Sequence, residues 1–218
     1  MLANIRIGYR LAMGFSLLLL LMAVQGWNAH QETQSLSLLT AKLFKHPYTV
    51  TTELLETEVG IISMHRSMKD VALAKEPAQL DAAATAVDKA EAEAYQHLSL
   101  AAERFLGNPA DMVALRQAIG DWKPIRDKVI RAMREGQSAE AAEITKTSGA
   151  AQVKLISERM DTVATFAKTK AQDFADNAAR QADSTTTYII GLFAAMLIIA
   201  LVTALLTGRS ITRPLTAL

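Results

Sequence analysis

The sequence predicts an all-α protein: an up-down-up-down four-helix bundle flanked by two transmembrane helices. Three observations carry that reading. Half of the 218 residues are hydrophobic while only 6% are aromatic, and the apolar excess is concentrated in two charge-free blocks. Between the blocks, apolar side chains recur at alternating spacings of four and three, the spacing of a helix-bundle seam. Ten Gly and five Pro are too few for a loop-rich all-β chain.

The first block opens with Leu11-Ala-Met-Gly-Phe-Ser-Leu and stays free of charge to Ala29, with Arg6 and Arg10 before it and Trp27 near its exit. A span needs about 20 mostly apolar residues. The uninterrupted apolar core here is shorter, so a cleaved signal peptide stands as the alternative. The Val24–Ala29 exit is a poor small-residue cleavage site, which favours an uncleaved anchor. The second block is longer. Nothing between Asp183 and Arg209 is charged, and its core runs from Tyr188 to Leu206, which reads as transmembrane.

The flanks give the orientation. Arg6 and Arg10 precede the first span, Arg209 and Arg213 follow the second, and residues 1–24 and 184–218 hold no acid, so both ends read as cytoplasmic. The central segment then lies outside the inner membrane. It holds all 22 acids and 19 of the 23 bases, a net charge of −3. Charges so balanced, +1 over the whole chain, argue against a nucleic-acid-binding surface or an acidic tail. The absence of cysteine excludes disulfide scaffolds, zinc-thiolate sites and a cysteine nucleophile, and leaves the compartment open.

Four seams follow in order. The first is Val50, Leu54, Thr57, Ile61, Met64, Met68 and Val71; the second is Leu80, Ala84, Val87, Glu91, Ala94, Leu98, Ala101 and Phe105, with Glu91 the misfit. The third is Met112, Leu115, Ile119, Trp122, Arg126, Val129 and Met133. The fourth is Val153, Ile156, Met160, Val163, Ala167, Lys170 and Phe174. Such stripes are core and carry no ligand role. Glu76-Pro77 separates the first helix from the second. Gly107-Asn108-Pro109 reads as a C-cap glycine, an N-cap and a proline at the first helical position. Glu135-Gly136 ends the third helix and offers Ser138 as the next N-cap. Pro47 and Pro124 predict kinks, and Thr147-Ser148-Gly149 a loosened start to the fourth helix. The first and fourth helices come out about 70 Å long against roughly 40–45 Å for the middle two. The long pair therefore continues alone beside the membrane, where two helices bury a seam poorly. A parallel homodimer, making a four-helix stem from two chains, resolves this.

The order of these parts, ending in Arg209-Ser-Ile-Thr-Arg-Pro-Leu-Thr-Ala-Leu218, resembles the four-helix-bundle sensor domain of methyl-accepting chemotaxis proteins followed by the start of a HAMP linker. The HAMP likeness rests on Ser210–Leu215, with Ile211, Leu215 and Leu218 at 4-then-3 spacing. Asn4–Phe15 also looks like the receptor entry into the first span. His46-Pro-Tyr-Thr-Val50 and Met64-His-Arg-Ser-Met-Lys-Asp70 resemble a subgroup of these sensors that precedes chemoreceptor, histidine kinase and cyclic-di-GMP (GGDEF/EAL) outputs.

The resemblance implies a division into a cytoplasmic N-terminus (1–10), a first span (11–29), a periplasmic four-helix-bundle sensor domain (30–187), a second span (188–207) and a truncated HAMP start (208–218). It implies a two-pass protein of the bacterial inner membrane. The partners expected are a second copy of the chain, membrane lipid, and a small-molecule ligand or periplasmic binding protein; nucleic acid is not expected. Signal transmission falls to Arg213, Pro214 and Leu215. The same front end on a histidine kinase or cyclic-di-GMP enzyme, and a dimerising accessory protein without output, are the rival readings. A complete HAMP unit needs a second helix, so the chain reads as a fragment of a longer receptor or a natural truncation.

His65, Arg66, Lys69 and Asp70 are the candidate ligand-binding residues. His65 and Lys69 share one face at i, i+4, and Arg66 and Asp70 share the neighbouring one. Two cations and an imidazole suit a carboxylate ligand; an ordinary i, i+4 salt bridge on a solvated face is the plainer reading. Four histidines invite a metal. Helix geometry separates His46 from His65 by close to 28 Å, and His65 from His97 by about 14 Å, whereas zinc ligands converge within ~2 Å of the ion. No metal and no cofactor are expected. Without a nucleophile–base pair, a phosphate-cradling glycine loop or an HExxH motif, no enzyme is expected in these residues either.

Overall fold

A computed structural model describes residues 7–215, and side chains within 8–209 apart from residues 10 and 207. All regular structure among these residues is helical: α1 (Ile7–Leu43), α2 (Thr49–Leu73), α3 (Pro77–Arg104), α4 (Pro109–Arg134), α5 (Ser138–Ile144) and α6 (Ala150–Leu215). Single π-helical turns, Phe44–Tyr48 and Thr145–Gly149, join α1 to α2 and α5 to α6. The chain therefore makes four long helical runs connected by three short turns.

The chain divides into two compact units. The first comprises the described residues up to Thr40 together with those from Asp176 onward, hence stretches of α1 and α6 alone. Polar side chains join them at two places. Asn28 Nδ2 donates to the Tyr188 hydroxyl at 3.3 Å, and Gln181 Nε2 donates to Glu32 Oε2 at 2.8 Å. A Cβ placed on Gly14 would stand 2.6 Å from the Thr203 methyl, so the two apolar stretches approach closely there. Both helices are long and apolar enough to cross a membrane, and their apolar windows are 0% and 6% buried within the protein. A soluble protein's core helix would be covered; these are bare, as lipid-facing helices are.

The second unit, Ala41–Ala175, is the bundle. All seven residues of the first predicted seam are buried, with Met64 and Val71 wholly so. The second seam is buried at Leu80, Val87, Ala94, Leu98 and Ala101, the third at every position except the half-buried Met133. The fourth is buried from Ile156 to Ala167 and half-buried at Val153, Lys170 and Phe174. Buried Ala90, Ala118 and Ala132 widen the stripes, as a core-facing helix requires beyond a strict two-position seam. α2 and α3 pack especially closely: a Cβ on Gly60 would lie 2.8 Å from Ala94 Cβ and 3.2 Å from Ala90 O.

The turns follow the sequence with two corrections. Pro77 and Pro109 open α3 and α4, and Asn108 caps α4 by accepting from Ala110 N–H at 3.0 Å. Gly136, at φ +74°, closes α4 in the left-handed conformation that glycine adopts without strain. Gly107 is not a C-cap, because α3 already ends at Arg104 and Phe105 is extended. Its missing side chain serves packing: a Cβ there would meet the Phe105 ring at 2.5 Å, where Phe105 and Phe166 pair edge to face at 5.1 Å. Ser138 is not an N-cap either; it is the first residue of α5, and the flanking Gln137 makes no side-chain cap bond. Pro47 sits inside the first π turn, whereas α4 runs without interruption through Pro124.

Candidate functional site

A charged pair sits in the bundle where the second and third seams carry polar residues. Glu91 on α3 and Arg126 on α4 occupy core-facing positions, and Arg126 Nη2 donates to Glu91 Oε1 at 2.5 Å. Arg126 is 2% exposed, and its guanidinium carbon lies 5.3 Å from the centre of the Trp122 ring. The planar guanidinium thus meets an aromatic face and a carboxylate at once, which a lysine ammonium would not do. Arg126 Nε is buried with no hydrogen-bond partner among the described residues.

His65 of α2 also stands against Trp122, its ring tilted 60° at a centroid distance of 6.4 Å. Burial, and secondarily the Lys69 ammonium one turn away, push its pKa below the ordinary histidine value. Among the described residues, His65 alone of the four histidines makes no hydrogen bond through its ring. His30 pairs with Gln34, His46 Nδ1 meets the Arg104 carbonyl at 3.1 Å, and His97 Nδ1 meets Glu53 Oε2 at 2.7 Å. No group of three His, Asp or Glu side chains among the described residues is placed to hold a metal.

His65, Trp122, Arg126, Thr145 and Gly149 line a small cavity with a free volume of about 20 Å³. The π turn Thr145–Gly149 forms one wall. Burial along this run falls on Ala141, Thr145, Gly149, Val153 and Ile156, spacings of 4, 4, 4 and 3 where a regular seam alternates. One extra residue is accommodated by widening a single turn, and such turns recur at functional sites.

The predicted cluster is therefore divided. His65 faces inward against Trp122, while Arg66, Lys69 and Asp70 are exposed. No ion pair joins Arg66 to Asp70 among the described residues. Lys69 remains close enough to His65 to influence it electrostatically. Arg213, Pro214 and Leu215 end α6, and their side chains lie outside the described residues. Sequence reasoning noted Glu91 as the misfit of the second seam, counted Arg126 within the third, and did not pair them. The signal was present, since two opposite charges at core positions of consecutive antiparallel helices call for each other.

The family described as a four-helix bundle sensory module for signal transduction matches residues 4–182. The chain belongs to this family. No curated protein and no solved structure matches it. The sensory module thus covers the bundle and the first apolar segment, and with two bare apolar helices it fits a two-pass membrane receptor.

Proposed function

We propose that this chain is the sensing and membrane-spanning portion of a bacterial receptor of the methyl-accepting chemotaxis type. It sits in the inner membrane with both termini cytoplasmic and the bundle periplasmic. A small molecule or a periplasmic binding protein engages the bundle near His65, Arg66, Lys69 and Asp70 and favours one of two packings. The signal leaves as a small shift of α6, passing through Tyr188–Leu206 to Arg213, Pro214 and Leu215 at the start of a HAMP linker. Its role is sensory rather than catalytic.

The observation that carries this reading is the continuity of α6. One unbroken helix, Ala150–Leu215, contains both the buried core residues Ile156–Ala167 and the apolar Tyr188–Leu206 segment. A break between them would absorb a displacement. A homodimer is supported by apolar side chains left bare along the first long run: Phe44, Tyr48, Leu55, Val59 and Ile62 are each more than half exposed. A parallel second copy covers such a stripe.

The absence of cysteine makes the test clean. In spheroplasts, Ser138→Cys should react with a membrane-impermeant maleimide, and Gly208→Cys only after permeabilisation. Leu55→Cys should form a disulfide-linked dimer on mild oxidation. With a receptor output joined after Leu218, Gly-Gly inserted between Asp183 and Tyr188 should silence signalling while dimer cross-linking persists. Labelling of both cysteines from outside would refute the orientation, and retained signalling by the insertion variant would refute transmission through α6.

A further inference from the structure

The cavity beside Trp122 combines two features that rarely coincide without an occupant. Arg126 is 2% exposed, and its Nε–H has no partner among the described residues. A buried donor left unpaired costs about 1–3 kcal/mol, and more on a charged group. Arg126 also lines the cavity, whose free volume of about 20 Å³ exceeds the roughly 10–15 Å³ that one water requires. The other polar walls are complementary. Thr145 Oγ1 donates to Ala141 O at 2.8 Å, so its lone pairs remain to accept, and the His65 ring makes no hydrogen bond elsewhere in the described protein. A donor, an acceptor and an imidazole make up the roughly three partners that a buried oxygen uses.

We propose that this cavity binds one uncharged oxygen atom, which accepts from Arg126 Nε–H and is flanked by His65 and Thr145. That oxygen is either a resident water or the hydroxyl oxygen of a very small organic molecule, each able to donate to the Thr145 lone pairs. Charge excludes an anion: Glu91 already neutralises the same guanidinium, and a second carboxylate would meet it across a buried site. The free volume of about 20 Å³ suits one small group, and apolar Met68 and Val129 suit a methyl group beside the oxygen. The geometry stands without the receptor reading; only the functional weight of an organic occupant rests on it.

The test uses the full chain in lipid nanodiscs, labelled with 15N-arginine, with methanol as the probe. If water is the occupant, the Arg126 Nε–H resonance shows a cross-peak to a long-lived water and methanol leaves it unmoved. If the site takes an organic oxygen, methanol shifts that resonance saturably and moves Trp122 emission in a Trp27→Phe background. Either result should vanish in Gly149→Ala, whose methyl would meet only Ile144 O at 3.5 Å and otherwise enter open space. Thr145→Val removes the hydroxyl and should abolish the same signals. Neither substitution touches the Glu91–Arg126 pair, so both variants should keep the helical circular-dichroism signal. No water cross-peak and no saturable shift would overturn the proposal, as would signals unchanged in both variants. The family assignment and the topology would stand regardless.

Discussion

Replacing Glu91 with leucine should destabilise the bundle far more than its single ion pair suggests. The substitution leaves Arg126, 2% exposed and already carrying an unpaired Nε, as an uncompensated cation in the core. Breaking a buried pair from one side costs about 3–5 kcal/mol. For a unit the size of Ala41–Ala175, about 3–5 °C of melting temperature accompanies each kcal/mol, so a fall on the order of 10–20 °C is expected. Arg126→Met should cost less, because the stranded Glu91 side chain is 13% exposed and can turn toward water. The double variant should recover to within about 1 kcal/mol of the parent, since an apolar pair of similar volume replaces an ion pair at little cost. Thermal unfolding of all four proteins, followed by helical ellipticity in one detergent, completes the cycle. Equal losses in the two single variants, or a double variant worse than Glu91→Leu, would refute the account of Arg126 as the more deeply committed partner.

Gly60→Ala should lower stability by about 1–3 kcal/mol, because its methyl meets the Ala94 methyl and the Ala90 backbone rather than a movable side chain; an unchanged denaturation midpoint would contradict the close α2–α3 approach. Gly136→Ala places a Cβ on a residue at φ +74° in otherwise open space, so about 1 kcal/mol of backbone strain is expected with no steric term. Asparagine at this position, which tolerates the left-handed region, should recover part of the loss. The depressed pKa of His65 makes its contribution to stability complete above the unfolded value of about 6.5. That contribution is lost as pH falls through the lower folded pKa, because the unfolded state binds the proton first. Parent and His65→Gln should therefore show melting temperatures whose difference changes below pH 6.5 and stays constant above it.

The first seam shows why so much of the bundle was legible. Val50 through Val71 alternate four and three because each must reach the same core, and burial of apolar side chains dominates the energetics of such helices. The ends were less legible where a residue had two uses. Gly107 suits a C-cap as a residue type, yet the Phe105–Phe166 pair, whose members are distant in sequence and adjacent in space, decides its role. At the candidate site, the sequence placed His65 beside Lys69 on one helix face but could not show Trp122 against it, because that contact depends on how α2 and α4 are set together. Thr147-Ser148-Gly149 announced a weak helix start; that it becomes a widened turn lining a cavity depends on the burial of Ala141 before it and Ile156 after it.

That widened turn links the packing to what a sensory bundle has to do. A seam of unbroken 4–3 spacing has one best fit, and small displacements along it are opposed by every layer. The run from Ala141 to Ile156 carries one residue too many for that spacing, and Thr145–Gly149 takes up the excess in a single turn. The cost is local, since glycine and hydroxyl side chains replace bulky core residues there and a cavity opens beside Trp122. Downstream of the turn the regular spacing resumes at Val153 and holds through Ala167 in the same helix that continues to Leu215. The Glu91–Arg126 pair stands on α3 and α4, helices that take no part in that continuity, and its charge-assisted bond ties the two together. The bundle thus sets a helix pair joined by a charge-assisted bond against a helix with a loosened beginning.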